Sequence, residues 1–294
     1  MKRFLCALVL PAVLGLSLQA QADTLSKIRG SQKIVLAHRE ASIPFSYLDE
    51  SKKPVGYSVE LCLKVVEAIK RELKLPKLEV QWLMVTPSDR VAALTEGRAD
   101  LECGSTTNNA ERRKQVAFTI PHFIATTRMV TLQSSGVKNW GDLRDKRVVT
   151  TKGTTVVKVL QSRDKHSALA MKLMEGADHA QSFGMVERGE ADAFPMDDVL
   201  LYGLRAKSKL MDKLIITGDP LSAEPYAIMM RKDDAPFKSL VDKEMSRIIF
   251  DGELNKVYEK WFMKPIPPSG LSLAMPMGFL LRESLRFPSD KVAD

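Results

Sequence analysis

The sequence predicts an α/β fold in which helices cover both faces of the sheets. Strand-like and helix-like segments alternate from residue 33 to about residue 260. The alternation forms two successive blocks, and the chain is long enough for two lobes of ordinary domain size. Polar residues lie where predicted strands end, which is where open α/β sheets place ligand sites.

The first 22 residues have the composition of a cleaved secretory signal peptide. Two basic residues precede a mostly apolar run over residues 4–18, and Ala20-Gln21-Ala22 supplies a small-residue cleavage site. The run is shorter than the ~20 residues of a spanning helix; a membrane anchor is the alternative. Cleavage after Ala22 leaves 272 residues and lowers the formal charge from +8 to +6, because no acidic residue leaves with the peptide. We therefore expect a soluble, exported protein.

Composition argues against several classes of function. The densest basic run, Arg112-Arg113-Lys114, adjoins Glu111, so the sequence does not indicate a nucleic-acid-binding stripe. The histidines lack paired metal-ligand spacing, and we expect neither a metal nor another cofactor. The remaining cysteines, Cys62 and Cys103, could pair in an oxidising compartment. The apolar helical run around Cys62 instead favours a buried free thiol.

Each block places helices between strands, and prolines follow the last predicted helix. The predicted strands cover residues 33–37, 78–84, 100–104, 147–151, 192–196 and 226–231. The predicted helices cover residues 59–73, with Ser58 as N-cap, 88–96, 156–161, 237–251 and 254–261. Pro265, Pro267 and Pro268 are expected to end regular structure.

Short polar segments at these strand ends and helix starts supply the candidate site. They offer arginines, hydroxyls beside backbone N–H groups, and a carboxylate, which together complement the charges of an α-amino acid. The candidate residues are Arg39, Arg90, Ser105, Thr107, Arg112, Thr155, His179 and Asp197.

Two threonine-rich turns, at residues 105–107 and 153–155, carry most of this argument. Each leads into a predicted helix start, where unpaired N–H groups favour a bound carboxylate. Arg112 lies five residues after Thr107 and is spaced to reach back toward that turn as a bidentate carboxylate partner. The alternatives are that Thr107 and Thr155 only cap their helices, and that Arg112 is a solvated partner of Glu111.

The run from Glu102 to Arg112, Glu-Cys-Gly-Ser-Thr-Thr-Asn-Asn-Ala-Glu-Arg, closely resembles the signature of the periplasmic glutamate/aspartate-binding proteins of ABC importers, in solute-binding protein family 3. Further resemblance lies at residues 38–40, 44–47, 231–234 and 264–268. The likeness implies a type II periplasmic-binding-protein fold, in which two α/β lobes joined by a two-segment hinge close around the ligand.

The resemblance also implies a division of the chain. We expect the first lobe at residues 23–130 and 226–268, the second lobe at 131–225, and a C-terminal tail at 269–294. The hinges are expected near residues 127–131 and 224–227. Two segments should then cross between the lobes and permit hinge closure.

Site roles follow from the resemblance position by position. Ser105, Thr107 and Arg112 would hold the α-carboxylate and amino end, Thr155 would add a hydroxyl, and Asp197 would neutralise the ammonium. Arg39, Arg90 and His179 match the family's pocket for the side-chain carboxylate. The resemblance further implies a monomeric protein in the periplasm. Its implied partners are a free amino acid and an inner-membrane ABC permease.

Two positions depart from the family pattern. Pro87 stands where the family has a serine, which weakens the case for an acidic side chain, although Ser88 is adjacent. Ile228 stands in place of the family's second cysteine. Phe45 and Tyr47 follow the polar turn after Arg39, and we expect them to cover the ligand.

Three other functions are alternatives to glutamate/aspartate binding and delivery. The same fold could bind another polar amino acid or present a ligand-bound surface to a sensor. A periplasmic enzyme is the third, since Ser105, His179 and Asp197 contain the ingredients of a nucleophilic triad. No nucleophile-elbow spacing surrounds Ser105, so we expect no catalysis.

Overall fold

The protein is described by a computed structural model over residues 23–268, 270 and 272–292. The predicted signal peptide lies outside the described residues. The strands are β1 (Lys33–His38), β2 (Ala41–Ser42), β3 (Ser46–Leu48), β4 (Pro54–Val55), β5 (Glu79–Met84), β6 (Leu101–Glu102), β7 (Val116–Phe118), β8 (Phe123–Leu132), β9 (Arg147–Thr151), β10 (Lys172–Gly176), β11 (Phe194–Asp197), β12 (Leu214–Thr217), β13 (Ala223–Tyr226) and β14 (Met229–Arg231).

The helices follow the same numbering. They are α1 (Thr24–Ser31), α2 (Tyr57–Leu73), α3 (Arg90–Thr95), α4 (Ala110–Arg113), α5 (Thr155–Ser167), α6 (His179–Glu187), α7 (Asp198–Lys207), α8 (Ala235–Phe250), α9 (Glu253–Tyr258) and α10 (Phe279–Arg286). Short 3-10 turns cover Gln133–Ser135, Trp140–Leu143 and Met211–Lys213, and a π-turn covers Glu259–Met263.

The first lobe is built on a five-stranded sheet with the order β5-β1-β6-β14-β7. Strand β1 runs parallel to its neighbours β5 and β6, so Leu36 lies between Trp82 and Leu101. β14 returns from the far end of the chain and pairs antiparallel with β6 and β7. Buried apolar side chains fill β1 because helices cover the sheet.

The second lobe combines a parallel pair, β10-β9, with an antiparallel sheet ordered β11-β8-β12. A parallel bridge between Val148 and Ala193 joins the two parts. The carboxyl ends of β9 and β11 therefore lie side by side, and each ends in polar residues of the candidate site.

Two antiparallel segments connect the lobes. The first part of β8 pairs with β13, with Phe123 opposite Tyr226 and Thr126 opposite Ala223. The second half of β8 pairs with β11 and β12. The predicted class, two α/β lobes joined by two crossing segments, is confirmed. The residue boundaries proposed for the lobes stay a prediction.

An aromatic cluster packs where β8 and β13 leave the first lobe. The Phe45 ring lies 4.9 Å from Phe123 and 5.0 Å from Tyr226, and Phe123 stacks on Phe262 at 5.0 Å between ring centroids. Edge and offset contacts of this kind stabilise aromatic cores beyond the burial of their area. The cluster gives the crossing strands a rigid base on the first lobe.

The structure differs from the sequence expectation in the C-terminal tail and at the start of α2. The prolines at 265–268 do not end regular structure, because α10 follows and buries Leu281 to 2% exposure. The tail returns to the first lobe, where Lys238 pairs with Asp290 at 2.8 Å and Asn108 donates to the Asp290 carbonyl at 3.0 Å. In α2 the N-cap is Gly56 and not the predicted Ser58, which lies within the helix.

Across the part of the chain that the structure describes, no helix is both long enough and apolar enough to cross a membrane.

Candidate ligand-binding site

The structure brings the predicted site residues to the ends of strands and the starts of helices in both lobes. Arg39 follows β1, Arg90 begins α3, Ser105 and Thr107 follow β6, and Arg112 lies in α4. Thr155 begins α5, His179 begins α6, and Asp197 ends β11. Six of the eight are buried, and Arg112 and Thr155 are half-buried.

A buried basic cluster lies on one side of the site. Arg39 and Arg90 are only 2% and 3% exposed, and Arg90 donates to the Ser105 carbonyl at 3.3 Å. Within the described residues, Nε and Nη1 of Arg39 and Nε of Arg90 have no hydrogen-bond partner. Buried guanidinium donors without acceptors are costly, so this cluster is suited to an incoming anion.

The environment of the basic cluster lowers its proton affinity. Burial, together with the positive charge of Arg90, lowers the pKa of Arg39 to about 9. Burial and then the charges of Arg39 and Arg90 lower the pKa of His179 well below its usual value, so this imidazole is neutral near pH 7. His179 Nδ1 lies 3.1 Å from Thr151 Oγ1, which fixes the ring.

The Glu102 side chain packs against Gly104 at the start of the Ser-Thr-Thr turn. A Cβ at Gly104 would lie 2.1 Å from Glu102 Oε1, so a larger residue there would displace this carboxylate. Glu102 is fully buried, and its Oε2 accepts a hydrogen bond from Thr106 at 2.8 Å. Its charge opposes the burial that lowers the pKa of Arg90. Glu102 is not among the site residues that the sequence predicted.

Arg112 reaches back toward its turn, as its spacing predicted. Nη1 donates to the Thr107 carbonyl at 2.9 Å, and Nη2 donates to Gly153 in the second lobe at 3.3 Å. Burial, with the charge of Arg90, lowers the pKa of Arg112 to about 9. The alternative pairing with Glu111 is not found, because Glu111 pairs with Lys158.

Neither threonine hydroxyl caps a helix. Asn109 caps α4 through its side chain, and the N-cap of α5 is Thr154, which makes no side-chain capping bond. The hydroxyls of Thr107 and Thr155 instead donate to Glu224 Oε2, at 2.8 and 3.0 Å. The capping alternative is therefore wrong for both.

A buried acidic group, Asp197, lies at the end of β11 in the second lobe. Asp197 Oδ2 accepts a hydrogen bond from the Tyr226 hydroxyl, and no described residue donates to its Oδ1. Burial and then the charge of Glu224 raise the pKa of Asp197 well above its usual value. Its free oxygen can accept from a ligand ammonium, whose charge would stabilise the ionised carboxylate.

The structure overturns two further expectations, for Ser88 and for Tyr47. Ser88 is exposed and bonds Thr86 at 3.0 Å, so it does not replace the hydroxyl missing at Pro87. Tyr47 does not cover the ligand, because its hydroxyl donates to the Pro267 carbonyl at 2.6 Å. Phe45 lies in the aromatic cluster.

Cys62 and Cys103 form a disulfide, not the buried free thiols that the helical context favoured. The bond ties α2 to the residue that precedes Gly104, and so anchors the start of the Ser-Thr-Thr turn.

Comparisons with known proteins agree with this architecture. Residues 34–264 match the family described as bacterial extracellular solute-binding proteins, family 3. The chain is 47% identical over 272 residues to the L-glutamate/L-aspartate-binding protein of Pseudomonas aeruginosa, covering 92% of this chain and 90% of that protein. It is 41% identical over 291 residues to the glutamate/aspartate import solute-binding protein of Escherichia coli, covering 95% and 96%.

A solved structure supports the same assignment. A variant of ArgBP from T. maritima is similar with a TM-score of 0.72 and 26% identity, covering 82% of this chain and 99% of that chain. The Pseudomonas and Escherichia relatives are named as binding proteins, not as enzymes. The matched model spans most of the chain, and its two-lobed α/β fold is the one described above. The chain belongs to family 3 of the bacterial extracellular solute-binding proteins.

Proposed function

We propose that this protein is a periplasmic receptor that captures free L-glutamate or L-aspartate between its lobes and delivers it to an ABC permease. One observation carries the proposal. A buried pair of arginines with unused donors lies in the same site as a buried carboxylate with an unused acceptor, counting partners among the described residues. A dicarboxylic amino acid supplies the complementary groups for both ends.

Each candidate residue then has a role. Arg112 and Ser105 bind the α-carboxylate, and Asp197 binds the ammonium, with the hydroxyls of Thr107 and Thr155 beside it. Arg39 and Arg90 bind the side-chain carboxylate, with the neutral His179 as a hydrogen-bonding neighbour. A neutral side chain would leave two buried guanidinium groups without a counter-charge, which favours acidic ligands.

Closure of the lobes explains how the ligand is held. Contacts between the lobes form at the mouth of the cleft, where Arg112 bonds the Gly153 carbonyl and Lys158 pairs with Glu111. The lobes would separate about hinges in β8 and β13, with the division at residues 23–130 plus 226–268 and 131–225. The protein acts as a monomer after export and removal of residues 1–22.

Isothermal titration calorimetry of the protein lacking residues 1–22 tests the proposal. We expect L-glutamate and L-aspartate to bind more tightly than L-glutamine and L-arginine. Arg90→Gln should weaken L-glutamate binding more than L-glutamine binding. The control is Arg98→Gln, since Arg98 is exposed and pairs with Glu96. Equal or tighter binding of L-glutamine would refute the acidic pocket, and failure to bind any amino acid would refute the receptor function.

A further inference from the structure

Glu224 is a buried carboxylate that connects both lobes, and the sequence indicated it only as part of a hinge. It is 4% exposed and lies on β13, one of the two crossing strands. Its Oε2 accepts hydrogen bonds from Thr107 of the first lobe at 2.8 Å and Thr155 of the second lobe at 3.0 Å. Its Oε1 accepts from Ser222 at 2.6 Å.

We propose that Glu224 is a positioning residue for the ammonium of the ligand. Glu224 accepts hydrogen bonds from the hydroxyls of Thr107 and Thr155, so the two threonine hydroxyl oxygens can only accept a hydrogen bond from the ligand. This inference rests on the proposed function. A hydroxyl group has a single proton to donate. Once that proton is given to Glu224, neither threonine hydroxyl can donate to a ligand carboxylate.

This constraint determines where the ammonium and the α-carboxylate of an amino acid can bind. An ammonium has three donors and no acceptor, so it is matched to oxygens that can only accept. A carboxylate in the same place would face lone pairs and negative charge. The α-carboxylate is thereby directed to Arg112 and to Ser105, whose hydroxyl bonds no described residue.

Electrostatics point to the same place. Glu224 lies close enough to Asp197 that its charge is the largest cause, after burial, of the raised pKa of that group. Two nearby buried carboxylates disfavour each other's ionisation unless a cation is bound with them. A ligand ammonium supplies that cation, and Glu224 adds its charge through the two hydroxyls as well as through space.

The arrangement also depends on closure. Thr107 and Thr155 belong to different lobes, so Glu224 holds both hydroxyl groups only when the lobes are together. The complete ammonium site is therefore assembled by closure, and an amino acid gains contacts there that a plain dicarboxylate does not.

The test compares L-glutamate with glutarate, which has both carboxylates and no amino group. Glu224→Met removes the acceptor and the charge at similar side-chain length. We expect it to weaken L-glutamate binding roughly tenfold or more while glutarate affinity changes less than about threefold, because only L-glutamate carries the ammonium. Glu224→Gln keeps an acceptor oxygen without the charge. Its preference for L-glutamate over glutarate should therefore lie between those of Glu224→Met and the wild-type protein.

Competition titrations give both affinities, and thermal melting reports folding. If Glu224→Met does not fold, Glu224→Gln provides the test. This variant should show a smaller loss of affinity for L-glutamate than expected for Glu224→Met, and that loss should still exceed its loss for glutarate. Glu190→Met is the control, because Glu190 is an exposed second-lobe carboxylate paired with Arg188. Equal losses for L-glutamate and glutarate, or no loss for either, would overturn the inference. A wild-type protein that bound neither would instead refute the proposed function.

Discussion

Closure of the cleft is expected to depend on the missing side chain at Gly153. This residue lies in the Gly-Thr-Thr turn of the second lobe with φ +80°. A Cβ added there would lie 2.6 Å from Ser88 Cα and 2.8 Å from the Pro87 carbonyl oxygen, both in the first lobe. Backbone atoms cannot move aside as a flexible side chain can. Gly153→Ala should therefore keep the lobes apart without disturbing either lobe's core.

The contact distances give the size of the effect. Relieving the overlap requires about 0.8 Å of separation, the difference between 2.6 Å and an ordinary contact of 3.4 Å. The bond from Arg112 to Gly153 is already 3.3 Å long and would break. Loss of one charged hydrogen bond costs about 1.5–3 kcal/mol, which corresponds to roughly 10–150-fold weaker L-glutamate binding.

Gly189→Ala separates this effect from backbone strain. Gly189 has φ +70°, and a Cβ there would meet no atom within 4 Å. Both alanine variants carry a similar penalty for the left-handed conformation, so both should lose similar thermal stability. Calorimetry should show weakened binding for Gly153→Ala alone. Unchanged affinity in Gly153→Ala, or equal weakening in both variants, would show that contact at this point does not limit closure.

Two further predictions concern the carboxylate anchor and a buried histidine. Arg112→Ala should weaken amino-acid binding by about 2–5 kcal/mol, because it leaves a desolvated carboxylate unpaired; calorimetry showing unchanged affinity would rule out the anchor. His122 is fully buried, which lowers its pKa to about 3. Above pH 6.5 it is neutral in both states and contributes nothing, whereas below pH 6.5 only the unfolded chain takes up the proton. Unfolding free energy should therefore fall by about 2 kcal/mol between pH 6.5 and 5 through this group. Denaturant titrations of His122→Phe should lack that part of the pH dependence, and identical slopes in both proteins would contradict it.

The parts of the fold with strong periodicity were predictable from the sequence. β1 is apolar over most of its length, and β5 begins with alternating polar and apolar residues; the structure places both close to the predicted bounds. The small sheet β2-β3-β4 was not predicted, because its strands have only two or three residues. β8 was not predicted because its buried positions include the polar residues Thr127 and Thr131. Its sequence therefore does not show the alternation of apolar and polar residues that indicates a half-buried strand.

The site residues that lie within one sequence motif could be predicted from the sequence. Those that folding brings together from distant segments could not. The eleven-residue run placed Ser105, Thr107 and Arg112 together. Glu224 became a site residue only through folding, since it lies 117 residues from Thr107 and 69 from Thr155. One signal was present: in an extended strand, Ser222, Glu224 and Tyr226 alternate onto one face. That face is the one whose hydrogen bonds reach Asp197 and both threonines.

The Cys62–Cys103 disulfide bears on both the compartment and the binding site of the protein. The sequence leaves this pairing open, because Cys62 lies in an apolar helix and its partner is 41 residues away. Structural disulfides persist mainly in oxidising compartments, so the Cys62–Cys103 bond supports export independently of the N-terminal segment. Cys103 is also two residues before Ser105. The same bond that is typical of proteins in oxidising compartments therefore fixes the backbone from which the proposed α-carboxylate site begins.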